Sequence, residues 1–309
     1  MQPEENRLKA AAGHEIRVLT WHPESQPTAV IQVLHGLGEH AGRYARFAKA
    51  AAARGFALGA HDHRGHGPGS PHPGHFADEG GWQHVVDDAG IVNEALRETF
   101  PGLPVVMLGH SMGSYLAQHF AMHSGALLAG LLLSASTWPR RGELALLGVV
   151  ARVEAWRHGP RGMSALLHRL GFDNFNRRFE PARTALDWLS RDPDEVDRYL
   201  ADPLCGGPYT TRLWRDLLEG LMPLGSNRSL ERIPADLPIL ITGGTDDPVG
   251  GERALTRLAT HYAQTGHGRL KVRIYEGGRH EMLNEINRDE VTADWLDWIA
   301  ATTRSARAG

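Results

Sequence analysis

The pentapeptide Gly109-His110-Ser111-Met112-Gly113 follows the pattern G-x-S-x-G, which is typical of a serine held in a sharp strand-to-helix turn. The two glycines relieve crowding around the strained backbone of such a serine. The apolar residues 105–108 before it are strand-like, and residues 114–122 after it can form a helix. We therefore predict that Ser111 is a nucleophile rather than a serine in an ordinary turn.

A serine hydroxyl needs a base to take its proton and an acid to orient that base. In chains with this turn, the acid and then the base follow the serine in sequence. His280 lies in the glycine-flanked loop GGRHE that follows the last predicted strand. Asp246 and Asp247 lie together in the earlier loop GGTDDPV, and the sequence separates them poorly. Asp247 is favoured because Pro248 restricts its backbone, which leaves Asp246 as a turn residue. The predicted triad is Ser111, Asp247 and His280.

Acyl transfer also requires hydrogen-bond donors for the oxyanion that develops on the substrate. The backbone N–H of Met112, directly after the serine, is one predicted donor. The backbone N–H of Leu37, in the glycine-rich loop 35–40, is the second. The alternative for this loop is a strand-to-helix turn without a catalytic role.

Six short apolar runs are predicted to be strands that deliver these loops, and helical patterns lie between several of them. The alternation of strand and helix favours a parallel sheet, in which the loops meet at the carboxyl ends of the strands. The predicted strands are 29–34, 56–60, 105–108, 130–134, 238–242 and 270–275, and the predicted helices include 45–54, 85–100 and 291–302.

Residues 136–232 show no comparable strand, and prolines repeatedly interrupt their helical patterns. We predict a catalytic core of residues 1–135 and 233–309 and a helical lid of residues 136–232 above the strand ends. The lid contains an apolar stripe flanked by arginines, which either touches lipid or packs on the core. The stripe consists of Leu144, Leu147, Val150, Ala151, Val153 and Trp156.

Composition excludes several classes of protein. The 33 basic and 36 acidic side chains among 309 residues give a net charge of −3, which does not suggest a nucleic-acid partner. A single cysteine, Cys205, excludes an internal disulfide and a cysteine-based zinc site. The charged first dozen residues carry no signal-peptide core, so we expect a cytoplasmic protein.

Five blocks in this order and spacing resemble the α/β-hydrolase superfamily, and within it the monoacylglycerol lipase and bacterial lysophospholipase group. They are HGLGEHAGRY (35–44), HDHRGHG (61–67), GHSMG (109–113), GGTDDPVG (243–250) and GGRHEMLNE (277–285). The resemblance implies a mostly parallel central sheet flanked by helices, with a helical lid inserted after core strand 6. It implies the same triad and oxyanion donors and no metal or other cofactor. The implied substrate is a monoacylglycerol, lysophospholipid or short-acyl ester, with transient contact between the lid and a membrane surface.

Three alternatives remain open. The same triad could hydrolyse amides, as an aminopeptidase does, or transfer an acyl group to an alcohol other than water. A non-catalytic binding protein of the same fold is a second alternative. The third is a metallohydrolase built on the histidines of 61–66, since H-x-H spacing suits zinc. Gly65 replaces the aspartate of that metal motif, whereas a structural D-x-R-G-x-G loop accounts for Asp62, Arg64, Gly65 and Gly67 together.

Overall fold

An eight-stranded sheet forms the centre of the computed structural model, which describes residues 1–308. Its strands are β1 (Glu4–Lys9), β2 (Glu15–Trp21), β3 (Ala29–Leu34), β4 (Phe56–His61), β5 (Val105–His110), β6 (Gly130–Ser134), β7 (Ile239–Gly244) and β8 (Leu270–Tyr275). They lie in the order β1-β2-β4-β3-β5-β6-β7-β8. The two pairs that involve β2 are antiparallel and the other five are parallel, which confirms the predicted mostly parallel sheet.

The antiparallel hairpin of β1 and β2 was not predicted from the sequence. In β1 only Leu8 is even partly buried, because this strand lies at the edge of the sheet and both of its faces meet solvent. Its sequence EENRLK therefore lacks the alternation of apolar and polar residues by which a half-buried strand is recognised.

Within residues 1–308, ten α-helices accompany the sheet: α1 (Ala45–Ala53), α2 (Gly81–Thr99), α3 (Met112–Ser124), α4 (Arg141–His158), α5 (Ala165–His168), α6 (Pro193–Ala201), α7 (Thr211–Leu224), α8 (Asn227–Leu230), α9 (Glu252–Gln264) and α10 (Arg288–Ala308). Val85, Leu116 and Leu258 bring α2, α3 and α9 against one face of the sheet. Phe47 and Trp295 bring α1 and α10 against the other. Helices on both faces bury the central strands completely, which is why those strands read as continuous apolar runs.

The chain leaves the sheet after β6 and returns at β7, and the helices α4 to α8 lie in between. Within this segment α4 packs on α7, and α7 also contacts α2 and α3 of the core. The contact with α2 is close, since a Cβ at Gly220 of α7 would overlap the ring of Trp82. The predicted helical character of this segment agrees with the structure, and its division from the core at residues 136 and 232 stays a prediction.

The apolar stripe predicted in the lid divides between two faces of α4. Leu144 and Ala151 are buried, so this part of the stripe packs inward. Val153 is 48% exposed and Trp156 is 85% exposed, and Leu146 and Val149 lie on the same outer face at 68% and 51% exposure. Helix α4 therefore carries an inner apolar face and a separate outer one. None of the helices within residues 1–308 combines the length and the apolar character that a membrane span requires.

Buried histidines near the carboxyl ends of β3 and β4 are expected to make the fold sensitive to acid. Burial lowers the pKa of His35, His61 and His66 to about 4 in each case. An unfolded chain binds these protons near pH 6.5, so the free energy of unfolding should fall as the pH drops from about 6.5 towards 4. Both ring nitrogens of His61 are buried without a hydrogen-bond partner among the described residues, which makes His61 the cleanest of the three to test.

We expect His61→Leu to reduce the loss of unfolding free energy between pH of about 7 and about 4.5, because one of these protonation steps is removed. Urea denaturation at a series of pH values measures the slope. His72→Leu, at an exposed histidine, is the control and should leave the slope unchanged. Equal slopes in wild type and His61→Leu would contradict the prediction.

Candidate active site

Ser111 lies in the turn between β5 and α3 with φ 49° and ψ −117°, a conformation that L-residues rarely adopt. Its backbone N–H donates to the carbonyl of Ser134 at 2.9 Å, which fixes the turn to the neighbouring strand. A Cβ at Gly109 would overlap the carbonyl of Gly113, and a Cβ at Gly113 would overlap that of Leu34. Both glycines of the pattern are therefore required by close backbone approach.

His280 lies in the loop after β8, and Asp247 lies in the loop after the neighbouring strand β7. The Nδ1 atom of His280 is 3.0 Å from each carboxylate oxygen of Asp247, whose side chain is fully buried. The N–H of Val249 donates to Oδ1 of Asp247 at 2.8 Å and holds the carboxylate in place. Asp246 lies at the surface, where it accepts a hydrogen bond from Arg178 at 2.7 Å. Of the two aspartates that were candidates from the sequence, Asp247 is the one that contacts His280.

The electrostatic environment of His280 favours its charged form. Burial disfavours the imidazolium, but the charge of Asp247 and the hydrogen bond to it outweigh burial, so the pKa of His280 lies above its ordinary value. The rings of Trp188 and His110 flank His280, with centroids at 5.0 and 4.9 Å. Burial lowers the pKa of His110 to about 4, so this neighbour is neutral at pH 7. A charged His280 would therefore lie beside the carboxylate of Asp247 and beside a neutral ring at His110.

The backbone N–H groups of Leu37 and Met112 are both available to a ligand. Neither donates a hydrogen bond to another group within residues 1–308, and Met112 is the first residue of α3, where the N–H has no partner in the helix. The two loops lie close together, since a Cβ at Gly36 would be 3.3 Å from the Cβ of Ser111. Both donors border the cavity that Ser111 borders.

A buried ion network links the loop of Leu37 to the loop of His280. Arg43 donates to both carboxylate oxygens of Glu281 at 2.6 and 2.7 Å, and to Oε2 of Glu39 at 3.1 Å. Oε1 of Glu39 in turn accepts from the N–H of Gly36 at 2.6 Å and from the hydroxyl of Tyr44 at 3.0 Å. Burial alone would raise the pKa of Glu39, but the charge of Arg43 and its other neighbours lowers it to about 2. The sequence did not decide whether Glu39 and Arg43 form a stabilising pair. In the structure they form a buried ion pair that holds the loop of Leu37.

A cavity of about 330 Å³ separates the ends of the strands from the helices that follow β6. Ser111, His280, Leu37 and Met112 all border it. Most of its remaining wall is apolar and includes Leu147, Leu170, Phe172, Phe175, Trp214 and Leu221. A hydrocarbon chain would bury its surface there without leaving polar groups unpaired.

The segment 199–206 rests directly on the loop of Leu37. The carbonyl of Gly38 accepts a hydrogen bond from the hydroxyl of Tyr199 at 2.7 Å and another from the N–H of Gly206 at 2.8 Å. Gly38 has φ of 80°, and a Cβ there would overlap the hydroxyl of Tyr209. Glycine at position 38 thus permits the close contact between this loop and the helical segment.

One group of potential metal ligands occurs within residues 1–308, formed by His40, Asp202 and Cys205. The Nδ1 atom of His40 accepts the N–H of Gly42 at 3.1 Å, so Nε2 carries the proton and donates to Asp202 at 2.9 Å. That tautomer suits a hydrogen bond between the loop and the helical segment, and it leaves Nε2 no lone pair for a metal ion.

Two charged residues of the histidine-rich block 61–67, Asp62 and Arg64, also have structural partners. Asp62 accepts hydrogen bonds from the N–H of Ala41 at 2.8 Å and from Arg17 at 2.9 Å. Arg64 donates twice to Asp88 at 2.7 and 3.0 Å. The block therefore positions the ends of β3 and β4, as the D-x-R-G-x-G interpretation predicts.

Comparison with known proteins identifies the family to which this chain belongs. The model of the family described as "Serine aminopeptidase, S33" (Hydrolase_4) matches residues 25–287. The chain belongs to this S33 family. The monoacylglycerol lipase of Mycolicibacterium smegmatis is 29% identical to it over 96% of this chain and 97% of that protein. The human monoglyceride lipase is 29% identical over 97% of this chain and 91% of that protein.

Solved structures agree with this assignment. The crystal structure of a highly thermostable carboxyl esterase from Bacillus coagulans, in complex with glycerol, superposes with a TM-score of 0.90 at 28% identity. The alignment covers 98% of this chain and 99% of the esterase. The predicted α/β-hydrolase fold is confirmed, and this S33 family member is a carboxylic-ester hydrolase. The alternative of an amide hydrolase or acyltransferase is not favoured.

Three residues at the site of this S33 family member were missed by sequence reasoning. Glu281 follows His280 directly, but its partner Arg43 is 238 residues away, so no local pattern connects them. Trp188 and Tyr199 belong to the helical segment, where no motif marks them.

Proposed function

We propose that Ser111, Asp247 and His280 form a catalytic triad that hydrolyses the ester bond of a monoacylglycerol. The observation that carries the proposal is the buried pair of His280 and Asp247, in which His280 borders the same apolar cavity as Ser111. The names of the Mycolicibacterium smegmatis and human relatives support the substrate class. Lysophospholipids and short-acyl esters are the other substrates that such a cavity could hold.

In the proposed mechanism, His280 removes the proton of Ser111 as the serine oxygen attacks the ester carbonyl. Asp247 stabilises the imidazolium that forms, and its bond to Nδ1 leaves Nε2 to exchange the proton. The N–H groups of Leu37 and Met112 stabilise the oxyanion. His280 then protonates the leaving glycerol, and later activates the water that releases the fatty acid from Ser111.

We further infer that residues 136–232 act as a lid over the core formed by 1–135 and 233–309. The apolar wall of the cavity comes largely from this segment. The outer apolar face of α4, with Leu146, Val149, Val153 and Trp156, gives the lid a surface for transient contact with a membrane. Such contact would bring the lid to the place where monoacylglycerols partition.

A fluorophosphonate probe and a substrate panel test this function together. We expect the probe to label one serine, Ser111, and expect Ser111→Ala to abolish both labelling and hydrolysis, whereas Ser124→Ala at the far end of α3 retains both. Within the panel, monoacylglycerols should have a higher kcat/KM than lysophospholipids and aminoacyl amides. Labelling that persists in Ser111→Ala would contradict the nucleophile, and a dominant amide rate would contradict the ester preference.

A further inference from the structure

A second pocket, distinct from the catalytic cavity, lies between α4, α7 and α8 and has a volume of about 650 Å³. This volume is within the usual range for small-molecule sites. Among the described residues that line this pocket there are five arginines and a single carboxylate, that of Glu219. The arginines are Arg141, Arg152, Arg215, Arg228 and Arg232.

Most of this positive charge has no counter-charge among the residues that the structure describes. Arg215 lies 3.5 Å from Glu219, and its Nε atom is buried without a hydrogen-bond partner among the described residues. Arg152 donates only to the carbonyl of Gly148. Within residues 1–308 the other three arginines form no ion pair. Since like charges gathered in one pocket repel one another, an anion that enters it would relieve this repulsion.

Guanidinium groups match the oxygens of a phosphate in both charge and geometry. We propose that this pocket binds the phosphate group of an anionic phospholipid. The inference rests on the membrane contact proposed for the lid, and it adds a preference for the headgroup.

The position of the pocket on α4 favours a lipid over a soluble phosphate compound. Gly148 and Arg152 line the pocket, and each directly precedes a residue of the outer apolar face, Val149 and Val153 respectively. Successive residues of an α-helix are about 100° apart, so the two faces are adjacent. A membrane that contacts the apolar face would therefore present its phosphate groups beside the arginines, as expected of an interfacial helix with a basic flank.

Vesicle binding by the full chain tests this site. We expect tighter binding to vesicles of phosphatidylcholine mixed with phosphatidylglycerol than to vesicles of phosphatidylcholine alone. The double variant Arg228→Gln/Arg232→Gln should weaken binding to the anionic vesicles, by about fivefold for each arginine removed. The matched control Lys49→Gln/Arg97→Gln removes the same charge from exposed positions of α1 and α2 and should change binding less than about twofold, since charges beyond a Debye length are screened. Both variants should hydrolyse a soluble nitrophenyl ester at the wild-type rate, which shows that they are folded.

Equal binding to both vesicle types, unchanged by the arginine variant, would overturn the headgroup site and leave the membrane contact intact. Failure of the wild type to bind either vesicle would overturn the membrane contact itself, while ester hydrolysis would still report on the triad. Calorimetry with inorganic phosphate and glycerol phosphate separates the two sources of phosphate. Micromolar binding of either compound, without a preference for anionic vesicles, would overturn the lipid assignment in favour of a soluble ligand.

Discussion

Replacement of Asp247 by asparagine is expected to lower kcat for ester hydrolysis about 10⁴-fold, the loss typical of a triad deprived of its carboxylate. Asparagine is nearly the same size, so the buried position stays filled, but it carries no charge to stabilise an imidazolium at His280. The charge of Asp247 also raises the pKa of His280 against the effect of burial. The acidic limb of the pH profile of kcat/KM should therefore move to lower pH in Asp247→Asn.

The neighbouring residue provides a matched control for this prediction. Asp246→Asn removes the same charge one residue away, but Asp246 is 40% exposed and pairs with the exposed Arg178. Exposed ion pairs contribute little, so kcat should stay within about twofold of wild type. Steady-state kinetics on both variants measures the two values of kcat. Similar losses at the two positions would contradict the assignment of Asp247 as the acid.

Replacement of Arg43 by methionine is expected to reduce the free energy of unfolding by about 3–5 kcal/mol, because it leaves buried carboxylates without their partner. Glu39 and Glu281 would then face each other as like charges. Arg46→Met, at the start of α1 and three residues after Arg43, is the control. Arg46 is 45% exposed, and its partner Glu195, at 2.6 Å, keeps Arg198 as a second partner, so a loss of about 1 kcal/mol or less is expected.

The pH dependence separates the loss of this ion network from a simple loss of packing. Without Arg43, burial should raise the pKa of Glu39 or Glu281, so the folded variant would take up a proton that the unfolded chain does not bind. Its stability relative to wild type should therefore recover as the pH falls towards about 5. Urea unfolding at several pH values measures this recovery. A loss below about 1 kcal/mol at pH 7, or a loss independent of pH, would contradict the role of Arg43.

Sequence reasoning was most effective where function depends on local backbone geometry. The glycines around Ser111 are required by overlaps within a few residues or with the adjacent strand, and such constraints leave a short motif. The loops of Asp247 and His280 follow apolar strands, so their meeting at one edge of the sheet could be predicted from the parallel topology. Motif order and strand pattern together were sufficient for the fold, and the catalytic roles of the triad candidates stay a prediction.

Features that depend on distant partners or on solvent exposure were not predictable in the same way. The sequence offered no means of pairing Arg43 with Glu281, because residues so far apart meet only in the folded chain. The edge strand β1 lacks any apolar pattern, since only Leu8 packs against the core and its other residues are exposed. Helical periodicity identified apolar residues in α4, but the packing of neighbouring helices decides which of them, such as Trp156, stay exposed.

The two hydrogen bonds on the carbonyl of Gly38 make residues 199–206 a latch on the loop that carries the N–H of Leu37. Release of this segment would remove both bonds at once, while Glu39 and His66 would still hold the N–H groups of Gly36 and Gly38. If Leu37 acts as the proposed oxyanion donor, residues 199–206 therefore help to position its N–H group. In the proposed mechanism, enclosure of the substrate by the helical segment and positioning of the oxyanion donor would then be coupled.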